Sequence, residues 1–180
     1  MLDQYAIIKA IQEITSKPNK TFSVRGLASS AKISPGACKI ALASMTKQNL
    51  VSFSVIGKSH QYKANLDNAL CKQWKILFNL NELNEAKILE QIKKEISNVQ
   101  AVLLYGSFAK GTNDEKSDVD LLVIAFNPKK ISFAGKLKKE INLIAFSPSE
   151  WKKKALQNKV FYENIIYDSI VLFGARPVIL

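Results

Sequence analysis

The sequence predicts an α/β protein of two domains. Three observations carry that reading. Apolar residues recur at helical spacing three times before residue 46. Two short alternating segments then flank Gly57-Lys58-Ser59. From residue 99 onward, strand-like apolar runs are interleaved with helical ones. The boundaries that follow are 1–65, a helical junction over 66–98, and 99–180.

The composition is that of an ordinary globular chain, with 47% hydrophobic and 23% charged residues in 180. No apolar run approaches the roughly 20 residues needed to span a membrane. The N-terminus lacks the layout of a signal peptide. Cys38 and Cys71 are too few for a disulfide framework and have no metal-ligand spacing. A reducing, cytoplasmic setting is the expectation. The formal charge is +11, and residues 1–65 carry +7 of it, nine Lys or Arg against Asp3 and Glu13. Such asymmetry points to a polyanionic partner, or more plainly to solvated lysine-rich faces.

Residues 3–16 place Tyr5, Ile8, Ile11 and Ile14 at helical spacing, and Ser16-Lys17-Pro18-Asn19 ends the helix. A second helix reads from Ser23 to Ala31, with Val24, Leu27, Ala28 and Ala31 on one face. Ser34 is a good N-cap and Pro35 suits the first helical position of a third. Its core stripe is Cys38, Ala41, Leu42 and Met45, with Asn49 as the stop. Leu50 to Ile56 alternates, Val51, Phe53 and Val55 sharing a side, and His60 to Ala64 returns as the partner strand.

Three helices closed by a hairpin with a basic tip resemble the winged helix-turn-helix family over residues 5–64. The resemblance implies double-stranded DNA as partner, with the third helix in the major groove and the wing on the backbone. Arg25, Ser34, Lys39, Ile40, Lys47 and Lys58 are the candidate contacts, Ile40 suiting a thymine methyl. That face is poor in the Arg, Asn and Gln that read base edges, so backbone binding is the better supported form. Winged helices also serve as protein-docking or dimer modules. His60, the single histidine, reads as a surface residue.

In the junction, Leu70, Trp74, Leu77 and Phe78 form one helical stripe, and Ile88, Leu89, Ile92 and Ile96 another. Asn79-Leu80-Asn81 is the expected break between them. With no Gly or Pro, the junction reads as packed helices, which also suit a homodimer face.

Val102 to Leu104 then reads as a buried strand, broken sharply at Gly106-Ser107. Asp118-Val119-Asp120 opens a second apolar run, Leu121 to Ile124. Alternation puts Asp118 and Asp120 on one face, about 7 Å apart. Two carboxylates so close repel unless a cation lies between them, and Mg²⁺ or Mn²⁺ suits oxygen ligands. Gly106 lets backbone approach a phosphate, Ser107 adds a hydroxyl, and a helix starting there would favour an anion.

Strand-Gly-Ser, ten residues, then Asp-x-Asp resembles the minimal nucleotidyltransferase domain of the DNA polymerase beta superfamily, over residues 99–173. The resemblance implies a mixed sheet flanked by helices and a nucleoside triphosphate as substrate or ligand. It implies that Gly106, Ser107, Lys110 and Ser117 hold the nucleotide, and that Asp118 and Asp120 hold the metal. Active members use a third carboxylate on the neighbouring strand, here Glu140-Ile141-Asn142-Leu143-Ile144. Asn142 stands where that acid would be and offers a metal only its carbonyl oxygen. Glu140 would substitute if the register slipped by one pleat. One metal with a triphosphate then fits better than two-metal catalysis.

After Asn127-Pro128, Ile131 to Lys138 reads as a short helix interrupted at Gly135. Ser147 and Pro148 open a later helix, Phe161 to Tyr167 continues helically, and Ile170 to Phe173 is the last strand. Lys152-Lys153-Lys154 reads as a solvated helix face.

Three functions from different classes follow. The first is a nucleotidyltransferase moving a nucleoside monophosphate onto a hydroxyl of a protein, nucleic acid or small molecule. The second is a DNA-binding transcriptional regulator whose second domain senses nucleotide without turnover. The third is an antitoxin-like interaction protein.

Overall fold

A computed structural model describes residues 5–57, 59–129, 131, 133, 137 and 139–179. The chain divides into two compact units, Met1–Phe78 and Asn79–Leu180.

The first unit begins with helices α1 (Ala6–Ser16), α2 (Val24–Ser30) and α3 (Pro35–Lys47). Their starts follow local chemistry. Ser23 accepts from the Gly26 amide and Ser34 from the Ala37 amide, so each hydroxyl satisfies an otherwise orphan N–H. The expected stripe of α3, Cys38, Ala41, Leu42 and Met45, is buried and packs with Ile11, Ile14 and Leu27. Beyond α3, Asn49 turns the chain with a φ of 59°, in the left-handed region asparagine tolerates.

Strands β1 (Val51–Ile56) and β2 (Ser59–Ala64) pair antiparallel, from Val51 opposite Ala64 to Ile56 opposite Ser59. Phe22 and Tyr62 exchange backbone hydrogen bonds at 2.8 and 2.9 Å, an anchoring bridge that the sequence pattern gave no sign of. Among the described residues of the hairpin, only Val51 and Ala64 at its base are buried. Phe53 and Val55, expected to share a side with Val51, are exposed because the strands run on past the core.

Helix α4 (Ala69–Glu85) is continuous, which corrects the expected break at Asn79–Asn81. Asn79 is 5% exposed, and its amide is used in tertiary hydrogen bonds rather than to stop the helix. The stop comes at Lys87, with a φ of 54°, before α5 (Ile88–Glu95).

The second unit is built on a mixed four-stranded sheet in the order β5-β4-β3-β6. Its strands are β3 (Val99–Tyr105), β4 (Val119–Ala125), β5 (Ile141–Phe146) and β6 (Ile170–Gly174). β3 pairs antiparallel with β4 and β6, whereas β4 and β5 are parallel. Both faces are covered, so β3 and β4 are apolar at nearly every position rather than alternating. One parity, Val102, Leu104, Val119, Leu121 and Val123, packs with Leu83 of α4, with Ile88 and Ile92 of α5, and with Phe108. The other, Ala101, Leu103, Leu122 and Ile124, packs against Trp151 and Ile165.

Those last two residues lie on α7 (Pro148–Gln157) and α8 (Lys159–Asp168). A capping box between Ser147 and Glu150 starts α7, and Asn158 separates it from α8. The short helix expected over 131–138 falls largely on positions outside the described residues. Beyond β6, Arg176 donates to the Ile165 and Ile166 carbonyls, to Ser169 Oγ at 3.0 Å and to Ser169 O at 2.9 Å. Pro177 O accepts from Trp151 Nε1 at 2.7 Å, so the segment after β6 is tied to both helices. Among the described residues, no helix is long and apolar enough to cross a membrane. Cys38 and Cys71 are free and buried, and burial pushes both thiols up.

Gly174 closes the sheet edge with a φ of +74°, and a Cβ there would stand 1.9 Å from the Gln100 carbonyl oxygen. Backbone on both sides leaves no side chain to yield. Gly174→Ala is expected to destabilise the second unit by about 3 kcal/mol, read from the urea midpoint of the full chain. An unchanged midpoint would mean that β3 and β6 are not packed this closely.

Candidate functional site

The site is assembled where β3 ends and β4 begins. β3 stops at Tyr105, and Gly106 turns the chain with a φ of +71° into α6 (Gly106–Lys110). A Cβ on Gly106 would stand 2.3 Å from Asp120 Oδ2 and 3.2 Å from Asp120 Cγ. The Asp120 carboxylate therefore rests directly on the Gly106 backbone, and the two halves of the sequence pattern touch. Helix α6 has only five residues, so its dipole is small, and anion binding would fall to individual N–H groups and the Ser107 hydroxyl.

Register completes the site. Asp120 lies opposite Tyr105 on β3 and opposite Asn142 on β5. Asn142 Nδ2 lies 3.4 Å from Asp118 Oδ2 and 3.4 Å from Asp120 Oδ1. One amide thus spans both carboxylates. Glu140 precedes β5, and its backbone oxygen accepts from the Val119 amide at 2.9 Å. The pairing sets Asn142, not Glu140, beside Asp120.

Electrostatics follow from this crowding. Burial is the main reason the Asp120 carboxyl is pushed above the usual carboxylate range. Asn142's hydrogen bond opposes the shift and the neighbouring Asp118 charge adds to it. The Tyr105 hydroxyl is pushed up to about 12, by burial first and then by the charge of Asp120.

The arrangement can hold one hard cation. Asp118 and Asp120 offer carboxylate oxygens, and rotation of the Asn142 amide would present its Oδ1 as a third donor. The glycine cradle leaves Asp120 in one fixed place. Among the described residues there is no cluster of three or more His, Cys, Asp or Glu suited to a metal. A second cation would lack charged ligands.

The remaining nucleotide candidates are engaged within the protein. Lys110 Nζ lies 2.7 Å from Asp168 Oδ2 on α8. Ser117 Oγ donates to Asp114 Oδ1 and accepts from the Asp114 amide, both at 2.9 Å. Behind them, Asn79 Nδ2 donates to Phe108 O and to Asn113 Oδ1 at 2.9 Å, and Asn113 Nδ2 returns a bond at 3.3 Å. This buried pair fixes the loop between α6 and β4. Neither Asp168 nor Asn79 carries a spacing signal linking it to the motif. Asn113 lies inside the motif stretch, but nothing in the sequence marks it as buried.

In the first unit, Arg25, Lys39 and Lys47 are exposed, and Ile40 is 75% exposed on α3. The Ser34 hydroxyl is used as the α3 cap. Lys58 lies outside the described residues. His60 is exposed, its ring 5.3 Å from that of Phe53 in an edge-on contact.

Comparison with known proteins bears on the second unit. The family model for polymerase beta nucleotidyltransferases matches residues 86–177, just over half of the chain. The protein adenylyltransferase MntA of Shewanella oneidensis is 37% identical over 46 residues, 26% of this chain and 33% of that protein. The chain thus spans about a third of the length of this curated relative. Two solved structures are also similar. One is a toxin–antitoxin with AMP-PNP, at 20% identity and a TM-score of 0.36 over 50% of this chain and 73% of that one. The other is a candidate nucleotidyltransferase from Sulfolobus solfataricus, at 17% identity and a TM-score of 0.37 over 57% and 86% of the two chains.

The raised proton affinity of Asp120 sets a sign for stability. A carboxyl that holds its proton more tightly when folded costs stability as pH climbs from the usual carboxylate range through its own higher value. Asp120→Asn removes that cost. The variant is expected to melt above the wild type at neutral pH without added metal, and the two should converge on acidification. A neutral-pH melting point equal to or below wild type would contradict the crowding.

Proposed function

We propose, from the premise that this chain belongs to the polymerase beta nucleotidyltransferase family, that its second unit transfers a nucleoside monophosphate from a nucleoside triphosphate to a hydroxyl acceptor. The observation that carries this is the seating of Asp120 on Gly106, with Asp118 and Asn142 converging on the same point. Asp118 and Asp120, aided by Asn142 Oδ1, would hold one Mg²⁺ or Mn²⁺. When bound, that ion would neutralise charge on the triphosphate and the leaving pyrophosphate.

The chain's own residues supply the rest. Gly106 and Ser107 would offer backbone N–H groups to the phosphates and Ser107 a hydroxyl, while the missing Cβ of Gly106 makes room for Asp120. Lys110 must leave Asp168 to reach a phosphate, and Ser117 acts by holding its turn. In the reaction the acceptor oxygen bonds to the α-phosphorus, and the bond from that phosphorus to the bridging oxygen breaks. Pyrophosphate departs with the electron pair. The acceptor proton needs a base, and Asn142 is not one. The register has not slipped, so Glu140 stands one pleat ahead of Asn142 just before β5, and from that neighbouring position it is the carboxylate we assign to this role. A protein hydroxyl is the favoured acceptor class, since the matched relative is named for acting on protein.

The order α1, α2, α3, β1, β2 supports a winged helix-turn-helix reading of the first unit. A net +7 on residues 1–65 and the exposed Arg25, Lys39 and Lys47 suit contact with duplex phosphates. Lys58, as read from the sequence, belongs to the same reading. With Asn142 in place of an acid, the runner-up is a DNA-binding regulator or antitoxin-like protein whose second unit only senses nucleotide or docks a partner.

Titration of the four nucleoside triphosphates with Mg²⁺ tests the site. Asp118→Asn with Asp120→Asn should abolish metal-dependent binding, and binding that survives would remove the proposal. Glu140→Gln should leave binding intact and slow turnover by roughly a hundredfold, the usual scale of a lost general base. Wild-type binding without turnover would leave the sensor reading. For the first unit, Lys39→Ala with Lys47→Ala should weaken duplex binding and lower the slope of log K against log salt by about 2. A slope that does not move would count against groove docking.

A further inference from the structure

The loop joining α6 to β4 presents Asp118, yet its own residues provide almost no apolar packing. Thr112, Glu115, Lys116 and Asp118 are exposed, and Asp114 and Ser117 are only partly buried. Polar contacts therefore decide its shape. Asn113 anchors one end, and the Asp114–Ser117 turn forms the middle. The third support comes from outside the loop. Lys139 Nζ donates to Asp114 O at 3.0 Å, Glu115 O at 3.2 Å and Ser117 O at 3.4 Å. The same ammonium lies 5.4 Å from the centre of the Phe108 ring, on the helix that follows Gly106.

We infer that Lys139 is a positioning residue for the site, a built-in cation that gathers the carbonyls just ahead of Asp118. Three convergent backbone oxygens are the kind of ligand set that binds a monovalent cation, and here a tethered ammonium occupies it. An ammonium has three donors, one for each carbonyl. The Asp114 carboxylate cannot do this work, because it has no hydrogen to donate to a carbonyl; its Oδ1 instead accepts from the Lys116 amide and the Ser117 hydroxyl at 2.9 Å. By holding the Ser117 carbonyl, Lys139 fixes the peptide that leads into Asp118. By sitting over Phe108, it ties that peptide to the Gly-Ser half of the motif. It touches neither Asp118 nor Asp120, so it acts through the backbone. The inference deepens the nucleotidyltransferase reading, and rests on it only for what Asp118 holds.

The test uses the full chain carrying Lys139→Ala, which removes the ammonium and leaves the space between the three carbonyls open to a free cation. Amide hydrogen exchange of residues 116–119 should quicken roughly tenfold, while the β3 and β4 core amides exchange as in wild type. Ammonium chloride should reverse the change, and tetramethylammonium, too large for the three carbonyls, should not. In parallel, Mn²⁺ titration of the wild type and the variant should show affinity lost in the variant and regained with ammonium. Unchanged exchange at 116–119 would overturn the inference. So would a loss of protection spread through β3 and β4, which would make Lys139 a general stabiliser. Wild-type protein that fails to bind Mn²⁺ would sink the nucleotidyltransferase reading alone, because the exchange arm needs no metal.

Discussion

The second unit depends on one close approach, the Asp120 carboxylate against the backbone of Gly106. It joins two segments that meet only once β3 and β4 are paired, and it excludes any side chain at the turn. The contact also has an electrostatic cost. Asp120 is half withdrawn from water beside a second carboxylate, and neither burial nor a like charge favours its ionised form. Asn142 offsets part of that by donating to both acids. Strand register makes this possible, because Asp120 and Asn142 are directly opposed on parallel neighbours.

Around that point the unit divides labour between apolar and polar contacts. β3 and β4 are held by two layers of side chains, one on each sheet face, and neither strand can slide without moving both. The connection between them cannot be held that way, because it must leave Asp118 open to solvent. It is shaped by the Asn79–Asn113 pair, the Asp114–Ser117 turn and Lys139 instead. Each is a donor matched to an acceptor in the chain. Removing one leaves its partner to find water or to stay unsatisfied.

What could be read from the sequence was whatever repeats with the period of an element. The α3 stripe, the two apolar strands and the Ser147-Pro148 helix start are local patterns, and they are found as read. The failures share a cause. Asn79 reads as a helix breaker because its amide competes with the backbone in isolation, yet here it is satisfied by Phe108 and Asn113, 29 and 34 residues away. Asp168 and Arg176 owe their roles to partners brought near by folding, Lys110 in one case and the end of α8 in the other. Phe53 and Val55 alternate like core residues but lie beyond the core's reach. Periodicity reports which face a residue takes, and says nothing of whether anything covers that face.

Asn142 is where these arguments meet. A carboxylate at its position would set a third negative charge beside Asp118 and Asp120. Without a cation, nothing would offset that third charge beside the partly buried Asp120. An amide reverses the balance. Its N–H groups bridge Asp118 and Asp120 when no ion is present, and its oxygen can turn inward when one is. On the proposed function, this arrangement would favour one cation over two. On the proposed function, turnover would therefore rest on one ion and a base at Glu140, whereas nucleotide sensing would need the ion alone.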